Sequence, residues 1–167
     1  MRLSEENRCT NFVMRHHVNR WYRLFDVICA FFDTLATGSL YPDEDEDRWA
    51  ALRMQALAQD LAQSGIALRW ETVRRPEALR YPPLADGFAL KLTSSYDWLE
   101  AHADFDAAVH IGHIALATAL DWLAFRDLPP FRDGRARLAE WFDGFLSRPS
   151  MQATPLSGDT HDGSGPR

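Results

Sequence analysis

Apolar residues recur every three or four positions along most of the chain, which is the spacing of amphipathic α-helices. The first predicted helix runs from Tyr22 to Ala36, with Gly38 behind it as a left-handed stop. The second runs from about Asp45 to Arg75, because Pro76 cannot continue a helix. Its acidic start suits the positive end of the helix dipole.

Three further helices follow, over about Ala85–His102, Ile111–Arg126 and Gly134–Leu146. The middle one is apolar nearly all round, as a central core helix is. Asp133 is the predicted cap of the last one. Short connections and the lack of an alternating strand pattern predict an all-α fold, a packed helical bundle.

The long second helix carries one main apolar stripe and a second, partly apolar face, so it is expected to pack against two neighbours. The stripe consists of Ala50, Met54, Leu57, Leu61, Gly65 and Leu68, and Trp49, Leu52 and Ala56 widen it. Gly65 costs up to ~1 kcal/mol relative to Ala in mid-helix. It therefore indicates either close approach of another backbone or a kink, and the pattern does not choose between them.

Three histidines lie near one another in sequence: His102, His110 and His113. A metal site would need a further ligand with suitable spacing, and no H-E-x-x-H or cysteine pair accompanies them. A helix start with His110 as its cap is the favoured interpretation. Histidines are poor substitutes for the usual Ser and acidic residue of a capping box, so we expect a weak helix start.

Composition excludes several classes of protein. The net charge of -6 argues against a nucleic-acid partner. The longest apolar stretch, Ile111 to Phe125, is too short to cross a membrane. Cys29 on an apolar helix face is expected to be an inert buried thiol, and no hydrolase, kinase or Rossmann motif is present. With neither a disulfide framework nor a signal peptide, a cytoplasmic protein without a metal site is expected.

Several short motifs occur in an order that resembles bacterial glutathione S-transferases of the beta-like group, from about Leu24 to Pro155. They are Val27–Leu35 with Leu40-Tyr41-Pro42, Arg48-Trp49, Leu68–Glu71, Ile111–Ala117 with Leu120–Leu123, and Arg148–Pro155. The resemblance implies a bundle of the type of that family's C-terminal domain over residues 43–156. Residues 24–42 are then the last helix and linker of a thioredoxin-like domain, and 1–23 are unassigned. Residues 157–167 contain no aromatic or aliphatic residue, so they are expected to form a disordered tail.

In this family the thioredoxin-like domain binds glutathione, the cosubstrate, and supplies the catalytic residue. The residues before Leu24 have no strand-helix-strand pattern, so the resemblance implies no catalytic residue in this chain. The family also has a Ser after the acidic residue that precedes its I-C-x-Y-L-D motif, and this Ser holds glutathione. Here Asp26 is followed by Val27.

The helical domain of the family supplies the wall of the hydrophobic-substrate site and contacts the second subunit. The resemblance and the apolar stripe together nominate substrate-binding residues on the long helix: Met54, Leu57, Ala58 and Leu61. Plain core packing is the alternative for these four. The nominated dimer contacts are Trp49, Leu52, Arg53 and Ala56. The expected partners are a second copy or a separate thioredoxin-like chain, and a small hydrophobic ligand.

Two functions follow from this. The first is a transferase-family helical domain that cannot conjugate glutathione by itself. The second is a non-catalytic helical module for protein interaction.

Overall fold

The structure, a computed structural model, describes residues 25–36 and 40–158. The chain divides into two compact units, Met1–Ser39 and Leu40–Arg167. Helix α1, Phe25–Leu35, lies in the first unit, inside the range predicted for it. The predictions for residues 1–23, for Gly38 and for most of the tail lie outside the described residues. The predicted domain boundaries remain predictions.

The regular secondary structure of the second unit consists of helices over its described length. Its helices are α2 Asp45–Arg69, a π-helix Trp70–Arg74, a 3-10 helix Glu77–Leu79, α3 Pro82–His102, α4 Ile111–Phe125, α5 Ala136–Leu146 and α6 Pro149–Ala153. Residues 25–36 and 40–158 contain no strand, which confirms the all-α prediction. No helix among them is both long enough and apolar enough to span a membrane.

Most predicted helix ends agree with the structure. Helix α2 begins at Asp45 as predicted, and its helical path extends through the π-helix to Arg74, just before Pro76. Helix α3 begins at Pro82, three residues before the predicted Ala85. A proline has no N–H to lose in the first turn and its φ suits a helix, so the two prolines open this helix instead of preceding it.

The N-terminus of α5 is capped by a residue from another helix. The prediction of Asp133 as the cap was wrong, because the N-cap position is Arg135 and its side chain makes no capping bond. Instead, Glu100 on α3 accepts the backbone N–H of Arg137 at 3.1 Å and that of Leu138 at 2.8 Å. Its carboxylate therefore satisfies two amides that have no partner within α5.

Helices α2 and α4 form the centre of the unit and run in the same direction. A Cβ atom on Gly112, at the start of α4, would lie 2.6 Å from the Ala51 carbonyl oxygen. A Cβ on Gly65, near the end of α2, would lie 2.4 Å from Leu123 Cδ2. Gly65 therefore lies at a close contact between helices, but the atoms next to it belong to side chains and not to the backbone of another helix.

The hydrophobic core fills the space between these two helices and α3 and α5. Tyr96, Leu92 and Leu99 of α3 are fully buried in it. So are Leu116 and Leu120 of α4, as expected for a central helix. The core thereby holds the ends of α2 and α4 in fixed positions, and both cavities of the second unit described below lie at those ends.

Candidate functional site

The first cavity of the second unit, called the N-terminal cavity, has a volume of about 360 Å³ and lies where α2 starts and α3 ends. Pro42, Asp47, Ala50, Arg53, Met54, Trp98, His102, Ala103, Asp104, Ala107, Ala108 and His110 line it. The Arg53 guanidinium lies 5.4 Å from the centre of the Trp98 ring. That indole in turn stacks on His102 with ring centres 5.1 Å apart. The lining mixes acidic and basic groups and has no single charge preference.

His110, in the lining of this cavity, belongs to a capping box made of two histidines. Nδ1 of His110 accepts the backbone N–H of Gly112 at 3.1 Å. Nδ1 of His113 accepts the backbone N–H of His110 at 3.4 Å, and Nε2 of His113 lies 3.0 Å from the Asp104 carbonyl oxygen. Because both Nδ1 atoms accept, this arrangement requires neutral rings with the proton on Nε2.

The two imidazoles are stacked, with ring centres 3.9 Å apart, and both are buried. Burial, and then the neighbouring His113, lower the pKa of His110 to about 4, although Asp104 and Asp47 oppose the change. Burial also lowers the pKa of His113. The predicted helix start at His110 is confirmed, and the two histidines form a complete box where we had expected a weak one.

The second cavity, called the arginine–tryptophan pocket, lies where α2 and α4 end and has a volume of about 210 Å³. Ile66, Arg69, Trp70, Arg74, Trp122 and Arg126 line it. Arg69 is buried, whereas the Trp70 side chain is 44% exposed. The Arg74 guanidinium lies 5.5 Å from the centre of the Trp70 ring. The pocket therefore combines aromatic surface with positive charge.

An exposed apolar edge runs along the same end of α2. Ile66, Trp70 and Val73 are spaced as i, i+4 and i+7, and each is at least 39% exposed. This spacing places them on one side of the helix. They lie away from the stripe that packs into the core, so the edge is available for contact with another molecule.

The Cys29 thiol shows no sign of activation as a nucleophile. It lies half-buried on α1, and burial followed by the charge of Asp26 raises its pKa. A reactive cysteine needs the opposite shift. Within the described residues, no group of three or more His, Cys, Asp or Glu side chains is placed to hold a metal ion.

Comparison with solved structures identifies the family. A glutathione transferase family member from Pseudomonas fluorescens Pf-5, with bound S-(propanoic acid)-glutathione, is 32% identical to this chain. The match covers 79% of this chain and 70% of that one, with a TM-score of 0.72. The chain belongs to the glutathione S-transferase family.

Other comparisons agree with this family assignment or add nothing to it. The same Pseudomonas protein with bound glutathione matches at 32% identity and a TM-score of 0.73, over 80% of this chain and 67% of that one. A glutathione S-transferase from Methylobacillus flagellatus KT has 19% identity and a TM-score of 0.69, over 77% of this chain and 67% of that one, and shows the fold alone. No protein-family model and no curated protein matches the chain.

The four residues predicted to bind a transferase substrate lie in or against the core. Ala58 and Leu61 are 1% exposed, and Leu57 packs against the core from a half-buried position. Met54 also lines the N-terminal cavity. Contact of these four with a ligand remains a prediction, and all except Met54 lie away from the linings of the two cavities described here.

The positions predicted to contact a second transferase subunit lie near the start of α2. Trp49 is 69% exposed, and Arg53 and Ala56 are exposed as well. Leu52 is half-buried. These exposures are compatible with an interface, and the dimer remains a prediction.

Sequence reasoning missed the residues that line the arginine–tryptophan pocket. It followed the apolar stripe of the long helix, which the structure mostly buries, and the second face around Trp49, Leu52 and Ala56, and it did not consider the apolar residues at the C-terminal end of the helix. Ile66, Trp70 and Val73 share one side of the helix at helical spacing. This second pattern was the available signal for an exposed site.

Proposed function

We propose that this chain is the helical part of a glutathione S-transferase family protein and supplies the wall against which a small hydrophobic ligand binds. The exposed apolar edge of Ile66, Trp70 and Val73, beside the arginine–tryptophan pocket, carries this proposal. Side chains of this size are usually buried, so exposed ones beside a pocket favour contact with a ligand. The proposed wall therefore lies at the end of α2.

We also propose that the chain does not conjugate glutathione by itself. The family motif places a Ser after the acidic residue at the start of α1, whereas Asp26 is followed here by Val27. Val27 is 62% exposed and its side chain has no hydrogen-bonding group. In the family this Ser binds the γ-glutamyl carboxylate of glutathione, and the Val27 side chain cannot make that hydrogen bond, so the chain lacks one of the contacts that hold glutathione.

Calorimetric titration tests both proposals on the full chain. We expect 2-naphthalenemethanol, a neutral bicyclic probe, to bind with a Kd in the range of about 0.1–1 mM. Trp70→Ala should weaken it by about fivefold or more, because the exposed indole provides much of the apolar contact. Glutathione should give no binding heat up to millimolar concentrations.

A control for this titration is Leu156→Ala, which removes an exposed apolar side chain far along the sequence from the pocket. It should bind the probe as the unmodified chain does. Absence of probe binding would reject the proposed wall. Micromolar binding of glutathione would reject the second proposal.

A dimer through the start of α2 is the third part of the proposal. The large exposed area of Trp49, together with Arg53 and Ala56 on the same helix, supports an interface there. The same surface favours the alternative function, a non-catalytic helical module that binds a different protein. The oligomeric state of the chain, measured without any other protein present, distinguishes the homodimer from the interaction module.

Light scattering over a range of concentrations measures the dimer. We expect the chain to be dimeric at about 100 μM and Trp49→Glu to be monomeric, because a charge in the centre of the contact must be desolvated without a partner. Leu79→Glu is a matched control, since Leu79 is 66% exposed but lies outside the proposed interface. A chain that stays monomeric at the highest concentration would exclude the dimer and leave the interaction module.

A further inference from the structure

The connection between α2 and α3 leaves large apolar side chains uncovered. Val73, Leu79, Tyr81 and Leu84 are between 42% and 66% exposed. They lie within residues 73–84, which comprise the end of the π-helix, the 3-10 helix and the first residues of α3. Monomeric proteins rarely expose so much apolar surface in one place, and where they do, it commonly contacts another molecule. We call residues 73–84 the connection surface.

The backbone of the connection surface is held in place by polar side chains. Glu71 is only 4% exposed, forms an ion pair with Arg75 at 3.2 Å and accepts the backbone N–H of Tyr81 at 3.1 Å. Arg80 donates to the carbonyl oxygen of Arg75 at 2.9 Å and to that of Val73 at 3.2 Å. These bonds satisfy backbone groups that no regular helix pairs. The exposed apolar side chains are therefore attached to a fixed backbone.

Polar and apolar residues are distributed here in the reverse of the usual way. Carboxylates are almost never fully buried unless they are paired, and leucines are usually inside. In this segment Glu71 is buried and paired, whereas Leu79 is 66% exposed. An arrangement that buries a charge and exposes leucine is understandable if a partner covers the leucine.

The connection surface is positively charged, although the chain as a whole is acidic. The net charge of the chain is -6, whereas residues 73–84 contain three arginines and a single acidic residue, Glu77. Arg74 and Arg75 are exposed, and Arg80 is half-buried. Glu71 pairs with Arg75 from a buried position just outside this range. A negatively charged partner is therefore favoured over a neutral or positively charged one.

The way in which the arginines are used favours a lipid surface over an acidic protein. Arg75 and Arg80 already direct hydrogen bonds inside the connection, so they offer a partner mainly their charge. An anionic lipid surface attracts charge and apolar area without requiring hydrogen bonds in fixed directions. Tyr81 is also one of the two residue types that concentrate at the level of lipid headgroups.

We propose that the connection surface binds the surface of membranes that contain anionic phospholipids. The side chains of Val73, Leu79, Tyr81 and Leu84 enter the headgroup region, and the arginines lie at the level of the phosphates. This inference goes beyond the proposed ligand wall, and either one can hold without the other.

Co-sedimentation of the full chain with vesicles of two compositions measures this binding. Vesicles of equal parts phosphatidylcholine and phosphatidylglycerol should bind half of the chain at about 0.1–1 mM lipid. Vesicles of phosphatidylcholine alone should bind at least about tenfold more weakly, since each arginine near an anionic surface contributes several-fold. Raising the salt concentration to about 0.5 M should weaken binding to the anionic vesicles several-fold. Both comparisons use the unmodified chain, so they do not depend on whether a variant folds.

Variants then assign the binding to the connection surface. Leu79→Glu and Leu84→Glu should each weaken binding to the anionic vesicles by about fivefold or more, because a carboxylate is repelled by the lipid and removes apolar contact. Both leucines are exposed, and a Glu in the first turn of α3 suits the helix dipole, so circular dichroism should show folded chains. Leu156→Glu is the matched control, since Leu156 and Leu84 are both 42% exposed, and it should bind as the unmodified chain does.

Three results would overturn the inference. Absence of binding to the anionic vesicles would reject a lipid surface as the partner and leave an acidic protein. Equal binding to both kinds of vesicle would remove the preference for anionic lipid. Binding that neither Leu79→Glu nor Leu84→Glu weakens would place the contact elsewhere on the chain.

Discussion

Replacement of Gly112 by Ala is expected to lower the free energy of unfolding by about 3 kcal/mol, because the added methyl has no space. It would lie 2.6 Å from the Ala51 carbonyl oxygen and 2.7 Å from Met54 Cβ. The first of these is backbone and the second is attached directly to backbone, so neither can rotate away. Helices α2 and α4 would have to separate at Gly112.

Chemical denaturation followed by circular dichroism measures this loss. Gly87→Ala on α3 is the matched control, because a Cβ at Gly87 would meet nothing within 4 Å. This control should gain about 0.5–1 kcal/mol from helix propensity. If Gly112→Ala were as stable as the unmodified chain, the close crossing of α2 and α4 at this glycine would be wrong.

Acidification from pH 6.5 to 4 is expected to destabilise the fold by on the order of 3 kcal/mol through the histidine capping box. The folded-state pKa of His110 is lowered to about 4, against an ordinary value of 6.5. Between pH 6.5 and 4 the unfolded chain binds a proton on this histidine and the folded chain does not, so the free energy of unfolding falls as the pH falls. At about 1.4 kcal/mol per pKa unit, the shift of His110 accounts for the loss.

The physical cause is the acceptor role of the rings. A proton on Nδ1 of His110 removes the acceptor of the Gly112 amide and places a charge in a buried stack with His113. The pKa of His113 is lowered as well, so it contributes in the same direction. From about one pH unit above the ordinary value of 6.5, both rings are neutral in either state, and the contribution is constant there.

Denaturation curves at half-unit steps of pH test this expectation. The double variant His110→Ser with His113→Asp restores a conventional capping box that does not titrate between pH 6.5 and 5. It should therefore lose less stability than the unmodified chain over that interval. Parallel stability profiles for the two proteins would show that the histidine box is not the cause.

Local sequence patterns were sufficient for the five longer α-helices and for the family, whereas the short helix α6 was not among the predicted helices. The start of α2 at Asp45 and the end of α3 at His102 follow from charge, proline positions and apolar spacing. Acidic residues act on the nearby helix dipole, and proline lacks the backbone N–H that continues a helix. Both effects reach only a few residues along the chain, so they can be recognised without tertiary contacts. The family motifs are likewise contiguous segments.

Caps that come from elsewhere in the chain were not predictable in this way. Asp133 satisfies the local rule for a cap of α5, yet Glu100 provides the bonds from a position 38 residues before Leu138. The two histidines are weak caps by residue type, but burial keeps them neutral and therefore able to accept. Both results depend on which side chains the packing brings together.

The sequence by itself determined the five longer α-helices, their order and the family, because apolar periodicity and contiguous motifs are encoded within single segments. It could not distinguish the buried stripe of α2 from its exposed edge, since both consist of apolar residues at helical spacing. The tertiary structure decided this by packing α4 against the stripe and leaving Ile66 and Trp70 outside. It also brought Arg126 of the α4 end to the same pocket as Arg69 and Arg74, a placement that depends on the parallel packing of two helices far apart in sequence.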